Sequence, residues 1–237
     1  SNYSHSSFEK ALDFLIIIVT LFFILTPILA IFLFGFAGIF SLPTAVFKAA
    51  SLSVQIAILS SLMSVFFGLC LTTKIGEVVG SLGIAVSPIV MGAGTFLMLK
   101  NFGNPYLLAI PVTAIVNALI SLPFVIRILK PPAEEIRIEF NNLSRAIGLT
   151  GIYWIWWVYL PMLKRPIGFS LGLAAALSMG DLGVIVLFGS GEIATLPLKI
   201  YQLMGAYRLD EALASALLLS LLAFGSFAVF DRIGRFL

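Results

Sequence analysis

Charged side chains are placed so sparsely along this chain that they divide it into long apolar runs. Five uninterrupted runs cover 14–47, 49–73, 78–99, 101–126 and 212–230, and a sixth covers 166–191 with Asp181 as its single charge. The shortest run has 19 residues, and about 20 mainly apolar residues cross the hydrocarbon core of a bilayer as a helix. The pattern therefore predicts an all-α integral membrane protein with about six transmembrane helices.

The expected transmembrane helices form a single domain that takes up residues 1–237. Their approximate ranges are 12–36, 50–72, 79–99, 105–128, 166–189 and 211–231. A polar connection at 130–164 separates the fourth helix from the fifth.

The composition excludes a water-soluble monomer. Of the 237 residues, 60% are apolar and 11% are charged, and the mean hydropathy is +1.12. Soluble domains carry about 25% charged residues, so the polar side chains of this chain cannot cover its surface. The remaining surface must face lipid.

The basic residues are distributed unequally between the two sides of a six-span topology. Ten of them fall on the side that holds both termini and the 130–164 connection: Lys10, Lys74, Arg127, Lys130, Arg137, Arg145, Lys164, Arg165, Arg232 and Arg235. Four fall on the other side: Lys48, Lys100, Lys199 and Arg208. Because cytoplasmic loops carry the excess of Lys and Arg, both termini and the connection are expected in the cytoplasm. Basic residues scattered between apolar runs do not indicate a nucleic-acid partner.

The reactive side chains do not provide a catalytic or metal site. The chain has one cysteine, Cys70, and one histidine, His5, which lies in a polar N-terminal tail. An intramembrane serine hydrolase would need a histidine within the bilayer, and an aspartyl hydrolase would need two membrane acids. A Gly-x-x-x-x-Gly-Lys-Ser/Thr nucleotide loop does not occur in the chain. We therefore expect neither an enzyme nor a bound cofactor.

The 130–164 connection is predicted to contain its own short helix. Pro131 and Pro132 are expected to end the fourth transmembrane helix, because proline interrupts the helical hydrogen-bond ladder. A new helix can then begin at Asn142, a good N-cap residue, and end at Gly148. The rings that follow favour the lipid headgroup level, which is typical of an interfacial loop: Tyr153, Trp154, Trp156, Trp157 and Tyr159.

Two further positions are candidates for contacts with a solute or a partner. Asp181 falls within the predicted fifth span, and an acid inside a membrane is a candidate for a transport pathway. Alternatively, Asp181 lies in an aqueous mouth or binds a helix terminus. The segment 191–210 is expected outside as a short amphipathic interfacial helix, in which Glu192 and Arg208 could contact an outer partner.

The spacing within the connection resembles a known motif. Gly148 is followed by nine residues, then Val158, one residue, and Leu160-Pro161. This resembles the EAA loop of binding-protein-dependent ABC importer permeases, in which Glu-Ala-Ala precedes the glycine by a fixed distance. The segments 88–99 and 122–130 resemble helices of the iron(III) and thiamine branch, and 179–208 is most similar to the carboxy-terminal half of thiamine permeases.

The resemblance implies a permease subunit, or half, that moves a small solute into a bacterial cytoplasm by alternating access. Thiamine or a thiamine phosphate is the expected solute, and ferric iron is second. ATP and Mg would be bound by a separate ABC ATPase, and the implied partners are a second permease half and an extracytoplasmic solute-binding protein. Multi-pass insertion in the bacterial inner membrane is implied. An ATP-independent secondary transporter or channel is the alternative.

The motif also implies which residues contact the ATPase. These are Asn142, Leu143, Ser144, Arg145, Ala146, Ile147, Gly148, Val158, Leu160 and Pro161. Asn142, Leu143 and Ser144 stand at the Glu-Ala-Ala positions, so the acid of the motif is replaced by an amide.

Overall fold

The computed structural model describes residues 7–100, 108–146, 149, 151–188 and 193–236, which are helical almost throughout. The first five helices are α1 (Ser7–Gly38), α2 (Thr44–Cys70), α3 (Lys74–Ala85), α4 (Pro88–Lys100) and α5 (Ala109–Ala146). The short α6 (Ile152–Trp154) continues through a π-helical turn (Ile155–Tyr159) into α7 (Leu160–Met179). The chain then forms α8 (Ile185–Phe188), α9 (Leu196–Gly205) and α10 (Leu209–Phe236).

The prediction of an all-α membrane protein is confirmed. Within the described residues there is no strand, and α1, α2, α5 and α10 are long and apolar enough to cross a membrane. The helix α1 lies at the edge of the bundle, where it packs mainly on α10 and leaves most of its apolar surface exposed. Such exposure of apolar side chains all around a helix is expected where lipid is the solvent.

The residues that meet between helices show the relative directions of the helices. Along α2 and α5 the contacts advance together, because Ser64 meets Ser121 and Gly68 faces Val125, so these two helices are parallel. The helix α7 runs antiparallel to both α5 and α10. The ten basic positions named above therefore fall at one end of the bundle, and the four others fall at the opposite end.

Two of the expected transmembrane helices are interrupted. The helix expected at 79–99 is present as α3 and α4, because Val86 is extended and Pro88 disfavours helical geometry in the residue before it. The helix expected at 166–189 begins earlier, at Leu160, and ends at Met179. Asp181 therefore lies in the irregular segment between α7 and α8 rather than inside a helix.

The expected end of the fourth helix at Pro131 is wrong. The helix α5 continues for 38 residues through Pro123, Pro131 and Pro132. Beyond the prolines it is held by packing, since Ala133 and Ile136 are buried in a cluster with side chains of the α6–α7 segment. Asn142 consequently lies within α5 and does not cap a new helix.

The second half of the connection is also more regular than a loop. Gly151, with a φ of 64°, starts the helical stretch that runs through the aromatic residues into α7. On the opposite end of the bundle, the predicted short helix is present as α9. Leu196 and Leu203 of α9 are buried in a core cluster with residues of α2 and α10, so α9 packs onto the bundle.

Candidate coupling surface and polar pocket

The last part of α5 and the α6–α7 segment form one packed unit at the base-rich end of the bundle. Ala133 and Ile136 of α5 are buried against Tyr159 and Leu163. The tyrosine ring stacks on Trp154, with ring centroids 5.1 Å apart. The described residues of the motif that resembles an EAA loop therefore lie on two helical segments that pack on each other.

Arg137 joins this unit to the end of α2. Its Nη2 atom donates a hydrogen bond to Thr72 Oγ1 at 2.8 Å, and its guanidinium carbon lies 5.6 Å from the centroid of the Tyr159 ring. The Tyr159 hydroxyl is 3.5 Å from the same Thr72 oxygen. Three elements thus meet at one polar junction, which we call the Arg137 junction.

The predicted coupling residues are only partly described. Asn142, Ser144, Arg145 and Ala146 lie in the last turns of α5, whereas Ile147 and Gly148 lie outside the described residues. The Leu143 side chain is 56% exposed, which leaves it available to a partner. Val158 and Leu160 are half-buried, and Pro161 is exposed in the first turn of α7. The structure leaves the roles of these residues as predictions.

A second candidate site surrounds Asp181 near the other end of α7. Its Oδ1 atom accepts a hydrogen bond from the Gly183 backbone at 3.3 Å, and its Oδ2 atom accepts one from Val184 at 3.5 Å. The Asn117 amide bridges the neighbouring groups: when its oxygen accepts from Ser178 Oγ at 2.9 Å, its nitrogen donates to Asp181 Oδ2 at 3.0 Å. The carboxylate is therefore held in place by three neutral donors.

The Asp181 carboxylate faces a cavity of about 360 Å³ between α5 and α7. Ile120, Phe124 and Leu177 give this cavity apolar walls, and Asn117, Ser178 and Asp181 supply its polar atoms. Within the described part of the chain, no lysine or arginine forms an ion pair with Asp181. Among the described residues its charge is thus offset by dipoles alone, which makes the cavity attractive to a cation.

Only one of the two predicted docking residues is described. Glu192 lies outside the described residues. Arg208 is exposed at the start of α10 and forms an ion pair with Glu211. No cluster of three or more metal-ligating His, Cys, Asp or Glu side chains occurs among the described residues.

Comparison with known proteins identifies relatives of this chain by sequence. No protein-family model matches the chain. It is 33% identical over 198 residues to the thiamine transport system permease protein of Brucella abortus, and 30% identical over 244 residues to that of Escherichia coli. The chain is a homologue of ABC importer permeases like the thiamine permease. It is also 28% identical over 199 residues to a sulfate transport system permease protein of Synechocystis.

The coverage of these permease relatives is uneven. The alignments take in 79% of this chain and 36% of the Brucella protein, and 95% of this chain and 45% of the Escherichia protein. The sulfate permease alignment takes in 74% of this chain and 72% of that relative. The chain thus spans less than half the length of the thiamine permeases that it matches.

Neither candidate site could be read completely from the sequence. Asp181 could be found because it is an isolated acid in an apolar run. Arg137 and Thr72 gave no such signal, since they are 65 positions apart and neither belongs to a recognisable motif.

Proposed function

We propose that this chain is a membrane-spanning permease unit of an ATP-driven importer. The observation that carries the proposal is the helical unit at the base-rich end. There the end of α5 and the start of α7 pack together, and the Leu143 side chain is exposed at the protein surface. The permease names of the relatives support it. A separate ATPase subunit would bind ATP and Mg, and its power stroke would reach the membrane through this unit.

The transport cycle would be alternating access between an outward and an inward cavity. A second permease half, fused or separate, would complete the pathway, and an extracytoplasmic solute-binding protein would deliver the solute. We propose that the base-rich end, with both termini, faces the cytoplasm, because basic residues are retained there. Glu192 and Arg208 would then lie on the side from which the binding protein docks.

Thiamine or a thiamine phosphate is the proposed solute, and ferric iron is the second choice. The thiamine permease relatives support the first. The cavity beside Asp181 fits a solute with a positively charged group, since it combines an unneutralised carboxylate with apolar walls. A cation that enters it would also lie near the Phe124 ring, whose face attracts positive charge.

The decisive experiment couples transport to ATP hydrolysis in vesicles. The chain and its full transport complex are reconstituted with an ABC ATPase, and uptake is measured with the intact ATPase and with one that cannot hydrolyse ATP. The proposal requires that the ATPase co-purifies with the permease and that uptake ceases when hydrolysis is blocked. Uptake that continues without ATP hydrolysis would instead identify a secondary transporter or channel.

The coupling surface is tested by Leu143→Asp. An aspartate carboxylate at this exposed apolar position would lose its hydration on contact with the ATPase, which costs free energy. We therefore expect uptake to fall at least about tenfold while the variant folds normally. Ile138→Asp is the matched control, because Ile138 is 80% exposed on the same helix but on a different face. Equal uptake in both variants would remove Leu143 from the coupling surface.

A further inference from the structure

A group of basic side chains lies where α7 and α10 cross at the base-rich end of the bundle. Gly168 of α7 and Gly234 of α10 are in backbone contact, since a Cβ atom on Gly234 would lie 2.7 Å from the Gly168 Cα atom. Lys164 and Arg165 precede the crossing on α7, and Arg232 and Arg235 flank it on α10. We call these four residues the crossing patch.

The crossing patch carries an excess of positive charge. All four of its side chains are exposed, and Arg235 pairs with Asp231 at 2.5 Å. Lys164, Arg165 and Arg232 form no ion pair within the described residues. Among the described residues, one of the four bases therefore pairs with an acid, and the other three lack an anionic partner.

The surroundings of the crossing patch place it at the edge of the hydrocarbon layer. On α7 the apolar run begins directly after Arg165, and on α10 it ends at Phe230, two residues before Arg232. Exposed apolar side chains lie among the charges, including Met162 and Phe236, which are 44% and 77% exposed. Trp156 and Trp157 are exposed in the π-helical turn, and such rings favour the headgroup level.

We propose that the crossing patch binds the headgroup of an anionic phospholipid. The four bases supply charge complementarity to a phosphodiester that carries a net negative charge, and basic sites between transmembrane helices are suited to such headgroups. The contact of Gly168 with Gly234 brings the two pairs of bases to one level of the membrane. Met162, Phe236 and their exposed neighbours would lie against the acyl chains.

The tryptophans of the chain provide a local probe of this site. All three are found at 154, 156 and 157, and Trp157 is seven residues from Lys164, about 10 Å along a helix. The full chain is placed in phosphatidylcholine vesicles, and tryptophan quenching is titrated with brominated phosphatidylglycerol or brominated phosphatidylcholine. We expect phosphatidylglycerol to be preferred about fivefold or more, and the preference to weaken at high salt.

The test variant is Lys164→Gln with Arg165→Gln, and the matched control is Lys48→Gln with Lys100→Gln. Both double variants remove two exposed bases, but the control removes them from the opposite end of the bundle. We expect the preference to fall to nearly one in the test variant and to stay unchanged in the control. Circular dichroism and thermal unfolding verify that both variants are folded.

Several results would overturn the proposal. Equal quenching by the two lipids in the wild-type chain would do so, as would a test variant that keeps its preference. If the test variant keeps its preference but no longer co-purifies with the ATPase, the crossing patch is a protein contact instead. Displacement of phosphatidylglycerol by inorganic phosphate at constant ionic strength would identify a site for the free anion. None of these results depends on uptake, so they are separable from failure of the proposed transport function.

Discussion

At the scale of single residues, several polar side chains inside the bundle form hydrogen bonds between helices. Ser121 Oγ donates to Ser64 Oγ at 3.0 Å, and Ser53 Oγ accepts from the Leu196 backbone at 2.7 Å. A buried polar group without a partner is costly where water is absent. Three buried hydroxyls lack a partner among the described residues: Ser170, Thr195 and Ser215. Asp181 differs from them because its carboxylate accepts hydrogen bonds and also lines a cavity, so it is the strongest candidate for contact with a solute.

Asp181→Asn is expected to weaken uptake of a cationic solute. The amide keeps the size of the side chain and removes the charge, whose contact with a cation would contribute about 1.5–3 kcal/mol. The KM for uptake should therefore rise at least about tenfold, with thermal stability close to that of the wild type. Asp210→Asn is the control, since Asp210 is an exposed acid at the start of α10. An unchanged KM in a folded Asp181→Asn variant would exclude the residue from the pathway.

The Arg137 junction should be measurable as a coupling between two side chains. Arg137→Gln is expected to destabilise the protein by about 1.5–3 kcal/mol, because it removes a charge-assisted hydrogen bond and a cation–π contact. Thr72→Val removes the shared acceptor. If both act through the same contact, the double variant will be more stable than the sum of the single effects predicts. Additive effects in chemical or thermal unfolding would contradict this interpretation.

At the scale of helices, the apolar runs predicted the long elements well. The reason is that most of α1, α2 and α10 is a long charge-free stretch, with the charged residues near the helix ends. The breaks at Val86 and Gly180 were not predictable from the runs, because apolar composition does not reveal where the backbone leaves the helix. For α5, the prolines predicted an end of the helix, but the helix continues through them. Packing of Ala133 and Ile136 outweighs the hydrogen bonds that Pro131 and Pro132 cannot make.

The crossing of α7 and α10 depends on the absence of side chains at its centre. Gly234→Ala would place a methyl group 2.7 Å from the Gly168 Cα atom and 2.8 Å from the Lys164 carbonyl oxygen. We expect it to lower the stability by roughly 1–3 kcal/mol. Gly225→Ala is a matched control on the same helix, because a Cβ atom there meets no other atom within 4 Å. Thermal unfolding in detergent compares the two, and equal unfolding temperatures would show that the crossing can relax.

At the scale of the whole molecule, the charge distribution and the helix directions agree. The sequence predicts ten basic residues on one side of the membrane and four on the other. The packing of the helices places the same two groups at opposite ends of the bundle. The motif around Gly148 suggested where a partner binds, but the Arg137 junction behind it depends on contacts between distant parts of the chain. Such contacts form only when the helices pack, so no local sequence pattern predicts them.

The orientation of the chain is tested by labelling from one side of the membrane. In a Cys70→Ser background, Glu139→Cys near the end of α5 should react with an impermeant maleimide only when the cytoplasmic face is accessible. Lys199→Cys in α9 should react only from the opposite face. The reverse pattern would place the Leu143 surface outside the cell and contradict the proposed ATPase partner.

The π-helical turn at Ile155–Tyr159 has a consequence for the fixed distance between Gly148 and Leu160. A π turn holds one residue more than an α turn. A change in the number of residues here therefore rotates the preceding side chains about the helix axis and also changes the length of the helix. Deleting one residue here would turn the preceding rings by about 100° and move Trp154 off Tyr159. The rotation of α6 relative to α7 thus depends on the number of residues between them, and insertions or deletions there should be tolerated less well than substitutions.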